Sequence, residues 1–260
     1  MHEYNIDSTY PTDLVRDGER LDDLNVNGWR ILQRPDGFCF GMDSVLLADF
    51  ASGWAGIRHA VDLGCGSGVL PLLIRARMPG VCFDAVEIQP EIADMAARTM
   101  LICGVDAFIR VHAMNLLDAP KALGFERYDL AVSNPPYGKA GDAILNEKPE
   151  RRAARHECAA DIYTICRTAF SLLRNGGRFA LIFPAHRFLE LMNALCAARM
   201  EPKRVRLIHP RWGKAPNLFL TEGIKAAKPG LLFMPPLYIR DDAGNETEEL
   251  RRIYRKAADA

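Results

Sequence analysis

The stretch from Ala60 to Arg75 constrains this chain most. Ala60-Val61-Asp62-Leu63 reads as a buried strand, Gly64-Cys65-Gly66-Ser67-Gly68 follows at once, and Val69, Leu72 and Leu73 then mark the inner face of a helix. A strand, a glycine turn and a helix N-terminus in that order predict the ligand-binding edge of a doubly wound α/β sheet. The glycines do not match the pyrophosphate patterns. The dinucleotide fingerprint wants its third glycine where Val69 stands, and no Gly-Lys-Ser/Thr follows as a phosphate loop requires. Asp62 also adds a carboxylate that would repel phosphate, and that suits a cation or ammonium reached through water or backbone groups.

The chain continues in the same rhythm. Val81 to Val86 reads as a second strand ending in Glu87, 25 residues after Asp62, where an acidic side chain can accept both hydroxyls of a ribose. Pro90 opens a helix whose apolar side is Ile92, Met95, Ala96, Met100 and Cys103, and Gly104 closes it. Phe108 to His112 reads as a third strand leading to Asn115 and Leu116, where a polar side chain could meet an adenine edge or simply make a turn.

Tyr128-Asp129-Leu130-Ala131-Val132 is a fourth strand and runs into Ser133-Asn134-Pro135-Pro136-Tyr137. The two prolines set their own φ and hold the residues before them extended, so the carbonyls there join no helix or ladder. The Asn134 side-chain oxygen and the Pro135 carbonyl could each accept one hydrogen of a planar NH2 group while Tyr137 covers the ring face. The same residues also fit a plain Pro-Pro turn in which Asn134 bonds its own backbone.

The flanks are less informative. Residues 1 to about 22 read as a loose polar arm, and Asn27-Gly28 marks a hairpin between Leu24-Asn25-Val26 and Trp29 to Leu32. Arg34 to Asp43, with Gly37 and Gly41, is a loop able to approach a ligand. It leads to a helix from about Ser44 to Phe50 with Asp43 as N-cap. Gly138 to Glu157 is a long polar loop carrying Lys139, Lys148, Arg151, Arg152, Arg155 and His156. A helix follows near Asp161 to Leu173, then Asn175-Gly176-Gly177 turns the chain into a fifth strand at Arg178 to Phe183, and another helix covers about Ala185 to Ala198. Two more strands are expected at Arg204 to Ile208 and Asn217 to Thr221, and Asn245 is placed to cap a last helix through Tyr254. The chain divides into an arm and hairpin (1–35), a main domain (36–225) and a C-terminal extension packed on it (226–260).

Composition excludes several classes. Lys plus Arg (33) equal Asp plus Glu (33), so there is no global field to gather nucleic acid. Contact with it must come from a local patch, for which Arg151, Arg152, Arg155, Arg204, Arg206, Arg211 and Lys214 are the candidates. The seven cysteines are odd in number and contain no CxxC pair, which argues for a reduced, cytoplasmic protein with neither zinc nor a disulfide framework. Neither a signal pattern nor an apolar run long enough to span a bilayer is found.

Taken together, the glycine loop, Glu87 and the Asn-Pro-Pro-Tyr run resemble the class I S-adenosyl-methionine-dependent methyltransferases that modify exocyclic or amide nitrogens. The likeness covers roughly residues 36 to 225. Asp36 to Ala48, Arg155-His156-Glu157 and His209-Pro210-Arg211 resemble most the bacterial tRNA(1)(Val) adenine-N(6)-methyltransferase group. The resemblance implies a Rossmann-like, seven-stranded mixed sheet with helices on both faces and a reversed last strand. It implies S-adenosyl-methionine as cofactor, with Asp62, Gly64, Cys65, Gly66 and Gly68 around its methionine part, Glu87 and Ile88 at the ribose, Asn115 and Leu116 at the adenine, and Phe40, Asp43 and Asn134 completing the site. Many relatives have Asp at the position of Asn115, whose amide oxygen can still face the adenine amine. Asn134, Pro135, Pro136 and Tyr137 would act on the target amine of an adenine in tRNA, with no metal and no obligate protein partner. Enzymes that methylate a glutamine amide in a protein, or adenine in DNA, share the run, but residues 1 to 33 are too short for the partner-binding domain of the first and no target-reading domain of the second is found. A non-catalytic RNA-binding module of the same fold is a further alternative, against which the complete clamp argues.

Overall fold

The computed structural model describes residues 12–35, 39–137 and 161–258. The N-terminal hairpin forms with its expected turn, but its first strand precedes the expected Leu24-Asn25-Val26 and its second begins one residue after Trp29. Strands β1 (Arg20–Asp23) and β2 (Arg30–Gln33) pair antiparallel, and Leu24 to Trp29 make the connection. Asn27 (φ 50°) and Gly28 (φ 67°) are both left-handed, and Trp29 N donates to Val26 O at 2.7 Å. That is the primed turn whose twist matches its strands. The expected loose arm is also corrected from residue 12 onward. Arg98, on a helix of the main domain, donates to the Leu14 carbonyl and to both Glu19 oxygens at 2.7 Å, fastening this segment down.

The main sheet is built from β3 (His59–Leu63), β4 (Cys82–Glu87), β5 (Ile109–Ala113), β6 (Tyr128–Ser133), β7 (Leu173–Pro184), β8 (Met200–Arg211) and β9 (Leu218–Lys225). Their spatial order is β5-β4-β3-β6-β7-β9-β8. All pairings from β5 to β7 are parallel, while β9 runs antiparallel to both β7 and β8. This is the seven-stranded sheet with a reversed last strand. The difference lies at its edge, where β10 (Leu232–Phe233) and β11 (Leu237–Arg240) lie parallel along β8. They cover backbone groups that an edge strand leaves unpaired. Pro235 and Pro236 separate the two pieces because proline donates no ladder hydrogen bond.

Helices α1 (Met42–Ala51), α2 (Val69–Arg77) and α7 (Glu248–Ala258) cover one face. Helices α4 (Ala119–Leu123), α5 (Ile162–Leu172) and α6 (Phe188–Ala197) cover the other. Helix α3 (Pro90–Ile102) packs on β5 and carries the hairpin, with Met95 and Ile102 meeting Leu32. Every residue of β6 is buried, as expected for a central parallel strand covered on both sides.

Three local expectations change. The Asn175-Gly176-Gly177 turn is absorbed into β7 as an irregularity in its pairing with β6. Asp43 does not cap α1, whose N-cap is Gly41 without a side-chain bond. Asn245 does not cap α7 either, because Thr247 Oγ1 takes the Leu250 N–H at 3.2 Å. Gly37 and the whole polar loop from Gly138 to Glu157, with Arg151, Arg152 and Arg155, lie outside the described residues.

Candidate active site

The carboxyl ends of β3, β4, β5 and β6 meet along one edge of the sheet, and the expected residues are distributed there. After β3, the N–H groups of Gly64 and Cys65 both donate to the Val86 carbonyl at 2.9 and 3.0 Å, folding the glycine loop against the end of β4. Gly64, Gly66 and Gly68 are all left-handed (φ 82°, 53° and 83°). Above Gly64 and Gly66 a side chain would meet none of the described residues. At Gly68 a Cβ would fall 2.4 Å from the Met100 methyl, so here the glycine allows α3 to pack against the start of α2.

Two carboxylates lie under this loop, with different roles. Glu87 accepts the Gly66 N–H at 3.1 Å through one oxygen and the Gln89 N–H at 3.0 Å through the other. Each oxygen keeps a second lone pair, so the group is held in place and can still accept two hydroxyls. Asp62 is fully buried and neither of its oxygens has a hydrogen-bond partner among the described residues. Burial, and then the charge of Glu87, push its carboxyl well above the ordinary carboxylate range.

At the adenine end, Asn115 behaves as the turn residue its sequence also allowed. Its Oδ1 accepts the Leu117 N–H at 2.9 Å. Ile88 and Leu116 are half-buried beside it. Phe40 packs on the core, and its N–H donates to Gln33 Oε1 at 2.9 Å.

Asn134 is brought to the glycine loop by a neighbour that the sequence reading passed over. Buried Ser133 donates from Oγ to the Leu63 carbonyl at 2.7 Å, joining the ends of β6 and β3. Pro135 is buried, Pro136 exposed, and Asn134 half-buried. The Tyr137 hydroxyl lies 2.8 Å from both Asp43 Oδ2 and Asn134 Oδ1, and the Asn134 amide also reaches Ser44 Oγ at 3.5 Å. One hydroxyl hydrogen cannot serve two acceptors. The set is satisfied throughout when the Asn134 amide turns its NH2 to the phenol and its oxygen to Ser44, with Tyr137 donating to Asp43. Burial, and then Asp43, push the Tyr137 phenol upward, so it stays a donor.

Tyr137 is held from behind as well. Its carbonyl accepts from Arg187 Nη1 at 3.1 Å, and Arg187 pairs with Glu190 through two bonds of 2.8 and 2.7 Å while its guanidinium stacks on Phe183. Phe183 meets the Tyr137 ring edge-on at 6.4 Å. Nothing local in the sequence marks Ser44, Ser133 or Arg187, because each acts on a partner from another element.

Part of the proposed basic patch is corrected. Arg204 pairs with buried Glu222 and stacks on Phe50 and Trp54, and Arg206 pairs with Glu249 at 2.7 Å and with the Pro235 carbonyl. Arg204 compensates a buried charge, and Arg206 joins β8 to α7 through the half-buried Glu249. Arg211, the last residue of β8, and Lys214, in the β8–β9 connection, are exposed. Among the described residues, no group of three or more His, Cys, Asp or Glu side chains comes together as a metal site. No described helix is long and apolar enough to cross a membrane.

A doubly wound sheet with a reversed strand, a glycine loop over an acidic strand end and an Asn-Pro-Pro-Tyr run beside it define a methyltransferase. The chain belongs to the methyltransferase small domain family, which matches residues 43–198. Among curated proteins it is similar to the tRNA1(Val) (adenine(37)-N6)-methyltransferase of Tolumonas auensis, 31% identical over 186 residues that cover 69% of this chain and 73% of the relative. The protein of the same name from Porphyromonas gingivalis is 29% identical over 191 residues, 70% and 72% of the two chains. Among solved structures, a predicted O-methyltransferase, Atu636 from Agrobacterium tumefaciens, superposes with a TM-score of 0.68 at 24% identity, covering 83% of this chain and 97% of that one. Geranyl diphosphate methyltransferase in complex with SAM gives 0.52 at 17% identity over 70% of this chain and 84% of its own. Both structural likenesses concern the fold.

Proposed function

We propose that this protein methylates the exocyclic N6 amine of an adenine in tRNA, in the cytoplasm, with residues 36–225 as the methyltransferase unit. S-adenosyl-methionine supplies the methyl group on a sulfonium. The observation that carries the reading is the Ser133–Leu63 bond, which sets Asn134 beside the glycine loop. The relatives' activity on tRNA supports the choice of substrate.

The residues present fit the cofactor. The space above Gly64 and Gly66, clear of the described residues, admits it, Glu87 retains acceptor capacity for its ribose, and Asp62, unpartnered among the described residues, gains from positive charge brought to the loop. Cys65, Gly68, Ile88, Leu116, Asn115, Phe40 and Asp43 surround these groups. The target amine enters by displacing the Tyr137 hydroxyl from Asn134. The Asn134 amide then turns its oxygen from Ser44 to the space the phenol leaves, and with the Pro135 carbonyl it would accept the amine's two hydrogens, leaving the nitrogen lone pair free for the methyl group. Pro136 keeps that loop stiff, and Tyr137 packs on the base. Orientation of this kind supplies up to about 7 to 11 kcal/mol of the barrier reduction. An adenine in folded RNA must leave its stack to reach the clamp, and contact with an aromatic ring offsets part of that cost.

Methylation of tRNA followed by mass spectrometry of its nucleosides tests the reaction directly, with N6-methyladenosine as the expected product. Asn134→Ala should lower kcat about a hundredfold or more while cofactor affinity by calorimetry is kept. Glu87→Ala should weaken cofactor binding first. Equal loss of both properties in Asn134→Ala contradicts the clamp.

A further inference from the structure

We propose a second nucleotide subsite at the far end of the same sheet edge, where an unpaired RNA base stacks on Trp212 and Tyr238 and its phosphate lies by Arg211 and Arg240. The inference rests on the tRNA reading and adds where the RNA is held outside the catalytic clamp.

Trp212 leaves 67% of its surface exposed. It is nevertheless fixed in direction. It occupies the first corner of a turn in which Lys214 N donates to Arg211 O at 3.2 Å, with Gly213 left-handed at φ 69°. Its indole meets the Tyr238 ring at 5.2 Å, and Tyr238 meets His209 at 5.1 Å, each tilted by less than a right angle. His209 is held in turn by a 2.7 Å bond between Nδ1 and the Lys214 carbonyl. An indole that stands out to solvent with two further rings stacked behind it offers a face on which a flat base can stack.

The charges around it indicate the partner. In the β8–β11 pairing Tyr238 stands opposite His209 and Arg240 opposite Arg211, so an aromatic pair and a cation pair follow each other on one face. Like charges directly opposite each other on neighbouring strands are unfavourable; Glu246 stands opposite Arg240 on its other side, which leaves Arg211 as the cation of the pair with no carboxylate across from it among the described residues. Arg240 is steadied by a 2.7 Å bond to the Gly244 carbonyl, and the Arg211 and Lys214 side chains have no partner among the described residues. The nearby Asp241 is engaged by the Asn245 N–H at 2.9 Å. Aromatic faces interleaved with cations are the chemistry of single-stranded nucleic acid binding.

The position is suitable. Ile208 pairs with Leu218, which pairs with Pro184, so the β8–β9 connection rises from the carboxyl edge that carries Asn134. Three strand spacings separate β6 from β8, about 14 Å, and Trp212 lies about six residue levels, roughly 20 Å, further along the strand direction than Asn134, so the two sites are about 24 Å apart, a span that several extended nucleotides of an RNA loop cover.

Steady-state methylation of tRNA by the full chain reads the subsite. Trp212→Ala should raise KM for tRNA about tenfold with kcat within twofold and cofactor affinity unchanged, and Trp212→Phe should recover most of the loss. Arg211→Gln with Lys214→Gln should flatten the salt dependence of tRNA affinity, which Trp212→Ala leaves intact. An independent measurement is tryptophan emission titrated with a short unstructured oligoribonucleotide, where quenching should be present in the wild type and absent in Trp212→Phe. If tRNA is methylated and Trp212→Ala has the wild-type KM, the subsite is overturned and the tRNA reading stands. If the wild type methylates no tRNA yet Trp212 is quenched, the subsite stands and the substrate reading falls; absence of that quenching overturns the subsite whatever the substrate.

Discussion

Asp62 is buried under the glycine loop with neither oxygen bonded among the described residues, so its carboxyl is costly to ionise in the folded protein and easy to ionise in the unfolded one. The sign of the consequence follows by linkage. A carboxyl with a raised folded pKa binds its proton more tightly in the folded state, so stability falls as pH rises from the ordinary carboxylate value toward the folded one. Asp62→Asn removes that titration. The ligand-free variant should melt above the wild type at neutral pH, and the gap should close as pH is lowered below the ordinary carboxylate range. Melting curves across pH check this, and parallel slopes for the two proteins would contradict it. At this scale the sequence was legible where a side chain acts at the end of its own strand, as with Glu87 and Asn134. It was not legible where the partner is remote. Asp43 read as a helix cap because its neighbours suggested one, whereas its carboxylate takes the Tyr137 hydroxyl from 94 positions away.

Among the elements, the N-terminal segment shows how one side chain can order a stretch with little core of its own. Arg98 of α3 binds both Glu19 oxygens and the Leu14 carbonyl, and its bond is the main reason the Glu19 carboxyl is held below its ordinary value. The pair is largely covered, with side chains 9% and 7% exposed. Removing one partner of such a pair costs more than a surface ion pair is worth, and about 2 to 3 kcal/mol is expected for Arg98→Ala. Denaturant unfolding measures the loss. Because the folded pKa of Glu19 is depressed, its contribution is present above the unfolded value and disappears as pH falls through the folded one. The variant and the wild type should therefore converge in acid. Element types along the main sheet followed from apolar runs and turn residues. Boundaries at the ends did not, since β1 and the caps of α1 and α7 depend on which hydrogen bonds the neighbours leave open.

Over the whole molecule, the residues after 225 complete the sheet. Segments β10 and β11 cover the edge of β8, α7 buries Leu250 and Ile253 against α1 and α2, and Glu249 takes Arg206. Deletion of residues 226–260 would expose that edge and a broad apolar face together. The shortened chain is expected to aggregate, while the full chain unfolds in one cooperative transition by calorimetry. A monomeric deletion product with the wild-type melting temperature would show the extension to be dispensable. The order of strands, the glycine loop, the acidic strand tip and the stiff Asn-Pro-Pro-Tyr run were determined by the sequence alone, because hydrophobic period, glycine and proline act on their immediate neighbours. Tertiary structure decided which charges are spent inside and which face solvent. Arg204, Arg206 and Arg211 look alike along one strand, yet the first two lie against Glu222 and Glu249 while the third, beside Trp212, is exposed and has no partner among the described residues, because pairing depends on distance in space and the sequence states only distance along the chain.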